Sequence, residues 1–309
     1  GPQQTQPEKK SSPHQIANWQ AHKRGVNDVL VLSDGTIVSA GNDNKVRLWD
    51  SEGQQINQID LPAPAISIAT TNNKIACGCS NGIIQIWRMN EDKPTLVHSL
   101  SQHTASITGI TFSPDGDYLF AGAEDGKFIS WNLTTDPPKS VVWPDTEGIP
   151  STITFLGDDL LAVGIGSQEE QDGRFWLWRM RDVDGEKTFD PVLTPILTGV
   201  KYVTALGFVK DGPTVFAATY PDGITIWRVT ENKKSLEAAG LFQGHTGKVT
   251  AIAPSPDGKL VASADEDGVV PIWNPSTSKG FRRFQGHVGP VADVSWSHDG
   301  RTVVSGDAD

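Results

Sequence analysis

The chain has 309 residues, of which 37% are hydrophobic, so it is long enough and apolar enough to bury a large core. Its formal net charge of −11 disfavours nucleic-acid and anionic-membrane partners, and no apolar stretch reaches the ~18 residues that a membrane span needs. The 31 glycines, 20 prolines and 10 tryptophans are typical of a turn-rich chain rather than a helical one.

The N-terminal residues 1–13 are polar and rich in proline, and they predict a disordered tail or linker before a folded domain over residues 14–309. Further along, Cys77 and Cys79 stand two residues apart. We interpret them as small core residues with free thiols, which favours a cytoplasmic protein.

A repeated pattern then runs through the chain. An Asp or Asn followed by Gly or Asn precedes a strand-like run that ends in tryptophan, at Trp49, Trp87, Trp131, Trp178, Trp227 and Trp273. Successive tryptophans are 38, 44, 47, 49 and 46 residues apart. Alternating apolar runs and Asp-Gly turns, which supply the positive φ of tight hairpins, predict antiparallel strands and almost no helix.

These units resemble the repeats of the WD-repeat β-propeller family. The Gly-His pair of the family stands at Gly244-His245 and Gly286-His287, with variants at His22 and His103, and the Trp-Asp pair stands at Trp49-Asp50. The resemblance implies an all-β fold, a seven-bladed propeller of four-stranded antiparallel blades. Units begin near residues 20, 61, 101, 144, 197, 243 and 285.

In that family, a histidine, a hydroxyl residue, an aspartate and a tryptophan form a buried hydrogen-bond network in each blade. Carried onto this sequence, the structural network comprises His22, Ser39, Asp43 and Trp49; His103, Asp125 and Trp131; His245, Ser263, Asp267 and Trp273; and His287, Ser305 and Asp309. The third unit has Ala121 in place of the hydroxyl residue, and units 2, 4 and 5 have Leu61, Thr146 and Gly199 near the histidine position.

The seventh unit ends at Asp309, before its tryptophan strand. We therefore expect the last blade to be incomplete in this chain. The missing strand is expected from a continuation of the chain or from another segment, because an open gap would expose a sheet edge.

The resemblance also implies a partner-binding face, lined by residues before each first strand and before each turn aspartate. The first set is Gly25, Pro64, Ser106, Ile149, Tyr202, Lys248 and Pro290, and the second is Asn42, Ser80, Glu124, Gln171, Pro221 and Glu266. We expect Tyr202, Tyr220 and Lys248 to form the centre, with Glu124 and Glu266 on the rim and Asn42 and Ser106 elsewhere on the face.

The sequence singles out no catalytic residues, metal ligands or cofactor. The predicted function is a non-catalytic scaffold that binds another protein or peptide, within a larger protein or complex. Two alternatives stay open: an enzyme with its site in the central channel, and a sensor or regulatory domain of a signalling protein.

Overall fold

The computed structural model describes residues 16–90, 93–143, 148–166, 173–184, 186–193, 202–209, 214–220, 223–230 and 236–308. The predicted tail, residues 1–13, lies outside this part of the chain, and so do Thr146, Gln171, Gly199, Pro221 and Asp309. The boundary between tail and domain therefore stays a prediction.

Every regular element in the described ranges is a β-strand, as the alternating runs predict. The strands are β1 (Val26–Val31), β2 (Ile37–Gly41), β3 (Lys45–Trp49), β4 (Gln55–Asp60), β5 (Ala65–Thr71), β6 (Lys74–Cys79), β7 (Ile84–Arg88), β8 (Thr95–Leu100), β9 (Ile107–Phe112), β10 (Tyr118–Ala123), β11 (Phe128–Asn132), β12 (Lys139–Val142), β13 (Ile149–Leu156), β14 (Leu160–Gly166), β15 (Arg174–Val183), β16 (Glu186–Leu193), β17 (Tyr202–Val209), β18 (Thr214–Tyr220), β19 (Gly223–Val229), β20 (Leu236–Phe242), β21 (Val249–Pro254), β22 (Val261–Asp265), β23 (Val269–Asn274), β24 (Lys279–Gln285), β25 (Val291–Trp296) and β26 (Val303–Asp307).

The strands pair in chain order into antiparallel blades. Blades 1 to 6 take four consecutive strands each, β1–β4 through β21–β24, while β25 and β26 form a two-stranded terminal pair. One further pairing, between Gly166 and Tyr202, joins blades 4 and 5 into a continuous sheet. The fold is an all-β propeller of four-stranded antiparallel blades. The count of seven stays a prediction, because the described residues of the last group form half a blade.

The first strands of successive blades pack side by side, and β25 packs against β1, so the arrangement closes into a ring. The described core lies in the junctions rather than in one centre. One apolar cluster fills each junction, such as Ile84, Phe112 and Trp131 between blades 2 and 3, and Phe216, Val249 and Trp273 between blades 5 and 6. Each blade is thus stabilised by both of its neighbours.

Tight turns connect the second strand of a blade to the third. Gly126 and Gly268 adopt φ values of 76° and 82° in two of these turns, a conformation that glycine adopts without steric cost. The Asp-Gly pairs therefore act as the hairpin turns that the sequence predicts.

A β-bulge interrupts the first strand of each blade and of the terminal pair. At five junctions the bulged side chain donates a hydrogen bond to a backbone carbonyl of the next first strand. The donor–acceptor pairs are Asn27–Ala65 (2.7 Å), Thr108–Pro150, Ser151–Val203, Thr204–Val249 (2.6 Å) and Thr250–Val291 (2.6 Å). We call these bonds the bulge belt; at the other two junctions the bulged residues are Ile66 and Ala292.

Candidate functional site

Blade 1 contains the complete predicted network. Trp49 Nε1 donates to Ser39 Oγ at 2.9 Å, Ser39 Oγ lies 2.8 Å from His22 Nε2, and His22 Nδ1 lies 2.7 Å from Asp43 Oδ1. Arg47 adds a hydrogen bond to the second carboxylate oxygen of Asp43 at 2.8 Å. The network ties the loop before β1 to strands β2 and β3, which rigidifies the blade because every member has a partner.

Blade 3 contains an incomplete version. His103 Nδ1 lies 3.1 Å from Asp125, as predicted, but Ala121 offers no hydroxyl. His103 Nε2 is buried and faces the Ala121 backbone without a well-formed hydrogen bond. Trp131 Nε1 donates instead to Gln102, a residue that the sequence interpretation did not include.

In blade 6 the aspartate of the network differs from the predicted one. His245 Nδ1 binds Asp265 at 2.7 Å, not Asp267, while Ser263 and Trp273 hold their predicted places. Asp265 stands two residues after Ser263 on β22, and alternate residues of a strand point to the same side, so its carboxylate reaches the histidine directly. Asp267 lies beyond the strand and accepts a hydrogen bond from Thr246 Oγ1 at 2.7 Å.

In the terminal pair the aspartate of the network again lies two residues before the predicted one. His287 Nδ1 lies 2.8 Å from Asp307, and its Nε2 lies 2.7 Å from Ser305 Oγ. The role predicted for Asp309 is therefore taken by Asp307. The signal was present in the sequence, because both of these units carry an additional aspartate two residues after the serine.

Burial favours the neutral form of three histidines. Burial lowers the pKa of His22, His103 and His245 below the ordinary value, against the opposing effect of their aspartate partners. A neutral ring that faces a carboxylate carries its proton on Nδ1, so Nε2 is free to accept from a serine hydroxyl. In blade 6 the direction of each hydrogen bond in the network follows from this tautomer. In blade 1 the Arg47 guanidinium also lies 2.6 Å from His22 Nδ1.

The two predicted sets of face residues lie side by side in the structure. The backbone N–H of each turn residue donates to the carbonyl of the residue before the first strand. These pairs are Asn42–Gly25 (3.3 Å), Ser80–Pro64 (2.9 Å), Glu124–Ser106 (2.9 Å), Glu266–Lys248 (3.1 Å) and Ala308–Pro290 (3.0 Å). In blades 4 and 5 the strand register places Gly166 opposite Ile149 and Tyr220 opposite Tyr202. Gly166 and Tyr220 thus hold the positions that the sequence interpretation gave to Gln171 and Pro221. We call this surface the loop face.

A tyrosine patch, comprising Tyr202, Tyr220, Lys248 and Glu266, lies on the loop face at blades 5 and 6. Tyr202 packs over Gly166, where a Cβ atom would lie 2.8 Å from the tyrosine ring. The ammonium group of Lys248 sits 5.6 Å from the centre of the Tyr202 ring and 3.9 Å from a Glu266 carboxylate oxygen. Tyr220 is 39% exposed beside them. The structure therefore brings together four of the seven residues that we expect at the centre, on the rim and elsewhere on the binding face.

The other three of these seven residues, Asn42, Ser106 and Glu124, lie in blades 1 and 3. Asn42 bonds to Asn27 at 2.8 Å and to the Arg24 carbonyl at 2.9 Å, so it helps to hold the loop of its own blade. Ser106 and Glu124 form one backbone pair of blade 3, and blade 4 lies between them and Tyr202. They lie on the loop face but outside the tyrosine patch.

One pair of carboxyls, which the sequence interpretation did not nominate, converges on the inner strands. Asp28 on β1 and Asp293 on β25 follow the bulge of their strands, and each accepts a backbone N–H of the next inner strand, from Ile68 and Val29 respectively. The signal was an aspartate at the same place in the first and last units. The described residues contain no group of His, Cys, Asp and Glu that could hold a metal ion, and no helix that could span a membrane.

Comparison of the sequence with known protein families agrees with the blades described above. The family model for the WD domain, G-beta repeat, matches residues 13–50, 94–132, 237–274 and 279–309. These ranges cover blades 1, 3 and 6 and the terminal pair, which carry the histidine networks.

The chain is also similar to longer proteins. It is 21% identical over 270 residues to the guanine nucleotide-binding protein subunit beta of Saccharomyces cerevisiae, covering 83% of this chain and 58% of that protein. It is 24% identical over 245 residues to the target of rapamycin complex subunit LST8-1 of Arabidopsis thaliana, covering 77% of this chain and 76% of that protein. The 77 kDa echinoderm microtubule-associated protein of Strongylocentrotus purpuratus is 25% identical over 266 residues, 84% of this chain and 36% of that protein.

The chain thus spans little more than half of the first of these relatives and about a third of the third. The repeats, the blade topology, the buried networks and the matched ranges all agree with one another. Four segments of the chain are therefore WD repeats of the G-beta type.

Proposed function

We propose that this chain is a non-catalytic scaffold that binds a partner protein or peptide through the tyrosine patch. The observation that carries the proposal is the meeting of two tyrosines, a lysine and a glutamate on one exposed face. Tyrosine is a frequent anchor of interfaces, because its ring buries a large area while its hydroxyl stays polar. Two of the relatives are named as subunits, one of a guanine nucleotide-binding protein and one of the target of rapamycin complex, which supports a protein partner.

The patch is built to be rigid before a partner arrives. The Tyr202 ring is held between Gly166 on blade 4 and the Lys248 ammonium group on blade 6, so blades on both sides orient it. A side chain that is already ordered loses little conformational entropy when it binds. We therefore assign Tyr202 to the fixed part of the interface and the more exposed Tyr220 to the part that makes new contacts.

Alanine substitutions at Tyr202 and Tyr220 test this proposal. Each should weaken capture of the partner by about 2 kcal/mol, or about 30-fold in Kd, if the residue is an interface anchor. The matched control is Phe281→Ala, which removes an aromatic ring that is 63% exposed on the outer strand β24. Capture that is unchanged in both tyrosine variants, with unchanged melting temperatures, places the interface elsewhere.

We further propose that a strand from a continuation of the chain, or from another segment, pairs with β26. The His287 and Asp307 side chains are 23% and 31% exposed, whereas the equivalent His245 and Asp265 are 2% and 0% exposed. In blades 1 and 6 the serine of the network also accepts a hydrogen bond from the tryptophan of the third strand. An added strand with a tryptophan at this position would shield the His287 network in the same way.

Appending a copy of residues 43–50 after residue 309 through a short linker tests the added strand. Amide hydrogen exchange should slow along β26, and the melting temperature should rise. The control carries the same extension with its tryptophan changed to alanine. Exchange along β26 that is identical with and without the extension contradicts the proposal.

The proposal includes the cytoplasmic location expected from the sequence. Cys77 and Cys79 are buried free thiols, and burial raises the pKa of Cys79 to about 11 and that of Cys77 well above its ordinary value. Unreactive thiols of this kind are common in reducing compartments. Fluorescence microscopy of the tagged protein in its own cells tests the location, and a signal confined to a secretory compartment contradicts it.

A further inference from the structure

The junction between β25 and β1 is held differently from its neighbours. The bulged residue of β25 is Ala292, which has no hydroxyl or amide to contribute to the bulge belt. Two other side chains of β25 act here instead. Asp293 Oδ2 accepts a hydrogen bond from the Val29 N–H at 3.0 Å, and Ser295 Oγ accepts one from the Val31 N–H at 3.2 Å. The last and first inner strands are therefore joined through a carboxyl.

A second carboxyl faces the first from the equivalent position of β1. Asp28 Oδ2 accepts a hydrogen bond from the Ile68 N–H of blade 2 at 2.8 Å, and its side chain also bonds to Ser67. The two carboxyls stand side by side on neighbouring inner strands, because Asp293 accepts the N–H of Val29, the residue that follows Asp28. The equivalent positions of blades 3, 5 and 6 hold glycine or alanine. A hydrogen bond between two carboxyls needs a proton on one of them, because two carboxylates are acceptors only.

Burial raises the pKa of Asp28 and raises that of Asp293 well above the ordinary value, and the neighbouring Asp28 charge adds to the shift of Asp293. The other groups that act on these pKa values are backbone amides and Ser67. The charge of Asp28 in turn raises the pKa of Cys77 on β6. Two adjacent carboxyls disfavour a second negative charge, which favours one retained proton.

We propose that Asp28 and Asp293 share one proton and that this proton locks the ring closed between its last and first inner strands. Asp293 holds the proton and donates it to Asp28, while the remaining oxygens receive the backbone amides of β1 and β5. Loss of the proton places two negative charges side by side at the closure. The junction then loosens, and the ring becomes easier to open as pH rises.

The sign of the pH effect follows from the shifted pKa values. A carboxyl whose pKa is raised by folding binds its proton more tightly in the folded protein, so its stabilising contribution is complete below the pKa of an unfolded aspartate, near ~3.9. That contribution is lost as pH rises through the folded value. The histidines act in the opposite sense, because folding lowers their pKa and their contribution is lost as pH falls.

Comparing the wild type with Asp293→Asn separates the two effects, because the histidines are common to both proteins. An asparagine amide keeps a hydrogen bond to Asp28 and an acceptor for Val29, but it carries no titrating proton. The melting temperature of the variant minus that of the wild type should rise steadily between pH 4 and pH 8, by about 2–4 °C per pH unit where the pair titrates.

The matched control is Asp299→Asn, in the exposed turn between β25 and β26. A hydrogen bond from Ser297 lowers the pKa of Asp299, so this substitution should give a small difference of opposite slope. Infrared spectroscopy gives a second measurement on the wild type itself, which should show the band of a protonated carboxylic acid at pH 6. A melting-temperature difference for Asp293→Asn that does not change with pH, or the absence of that band in the wild type, overturns the proposal.

Discussion

Single buried hydroxyls decide whether the blade networks are complete. Ser39 and Ser263 each accept a tryptophan N–H and donate to a histidine, whereas Ala121 leaves His103 Nε2 without such a partner. A buried polar atom that lacks a hydrogen bond costs about 1–3 kcal/mol. Blade 3 therefore carries a defect that a single oxygen atom corrects.

Replacing Ala121 by serine should stabilise the protein by about 1 kcal/mol, because the hydroxyl supplies the missing donor to His103 Nε2. The measurement is the free energy of unfolding from denaturant titration. Ala262→Ser is the control, since Ala262 is equally buried but precedes Ser263 on β22, so its side chain points away from the histidine network and into the junction with the terminal pair. The control should be destabilised, and equal effects of the two substitutions would contradict the network explanation.

The elements that hold the ring together are the inner strands. Their bulges turn a polar side chain toward the next blade, and the bulge belt links blades through bonds that ordinary strand pairing does not supply. Neighbouring blades are otherwise joined mainly by apolar packing, which is not directional. The belt therefore fixes the register of one blade against the next.

Replacing Thr204 by valine should lower the free energy of unfolding by about 0.5–1.5 kcal/mol, because it removes the bond to the Val249 carbonyl while keeping the side-chain shape. Thr111→Val is the control. The Thr111 hydroxyl makes only a 3.4 Å contact to its neighbour on the same strand, so its loss should cost little. Losses of equal size would show that the belt contributes no more than any threonine on these strands.

On the scale of the whole molecule, the repeat made the architecture predictable. Six tryptophans and the Asp-Gly turns at a regular period indicated antiparallel blades, since each unit buries its apolar faces only against its neighbours. The prediction of Asp267 as the histidine partner was wrong, and Asp265 takes that role. Both stand near the turn, and only the extent of β22 decides which carboxylate reaches His245.

The repeat pattern could not predict contacts between blades. Asp28 and Asp293 are 265 positions apart, and they meet only because the ring closes. Distance from the turn aspartates predicts Pro221 and Gln171 on the loop face, and both lie outside the described residues. The strands β18 and β14 end at Tyr220 and Gly166, which hold the loop-face positions in their blades. Motif spacing predicts contacts within a unit, and closure of the ring creates the rest.

Binding of a partner protein at the tyrosine patch can be tested with a photo-reactive phenylalanine analogue placed at Tyr220 or, separately, at Phe281 on the outer strand of blade 6, with irradiation in the protein's own cells. Both positions are exposed, so either can react with whatever lies against it. We expect a covalent adduct to one partner protein from position 220 and none to that partner from position 281. Adducts from position 281 with none from position 220 would contradict binding at the tyrosine patch.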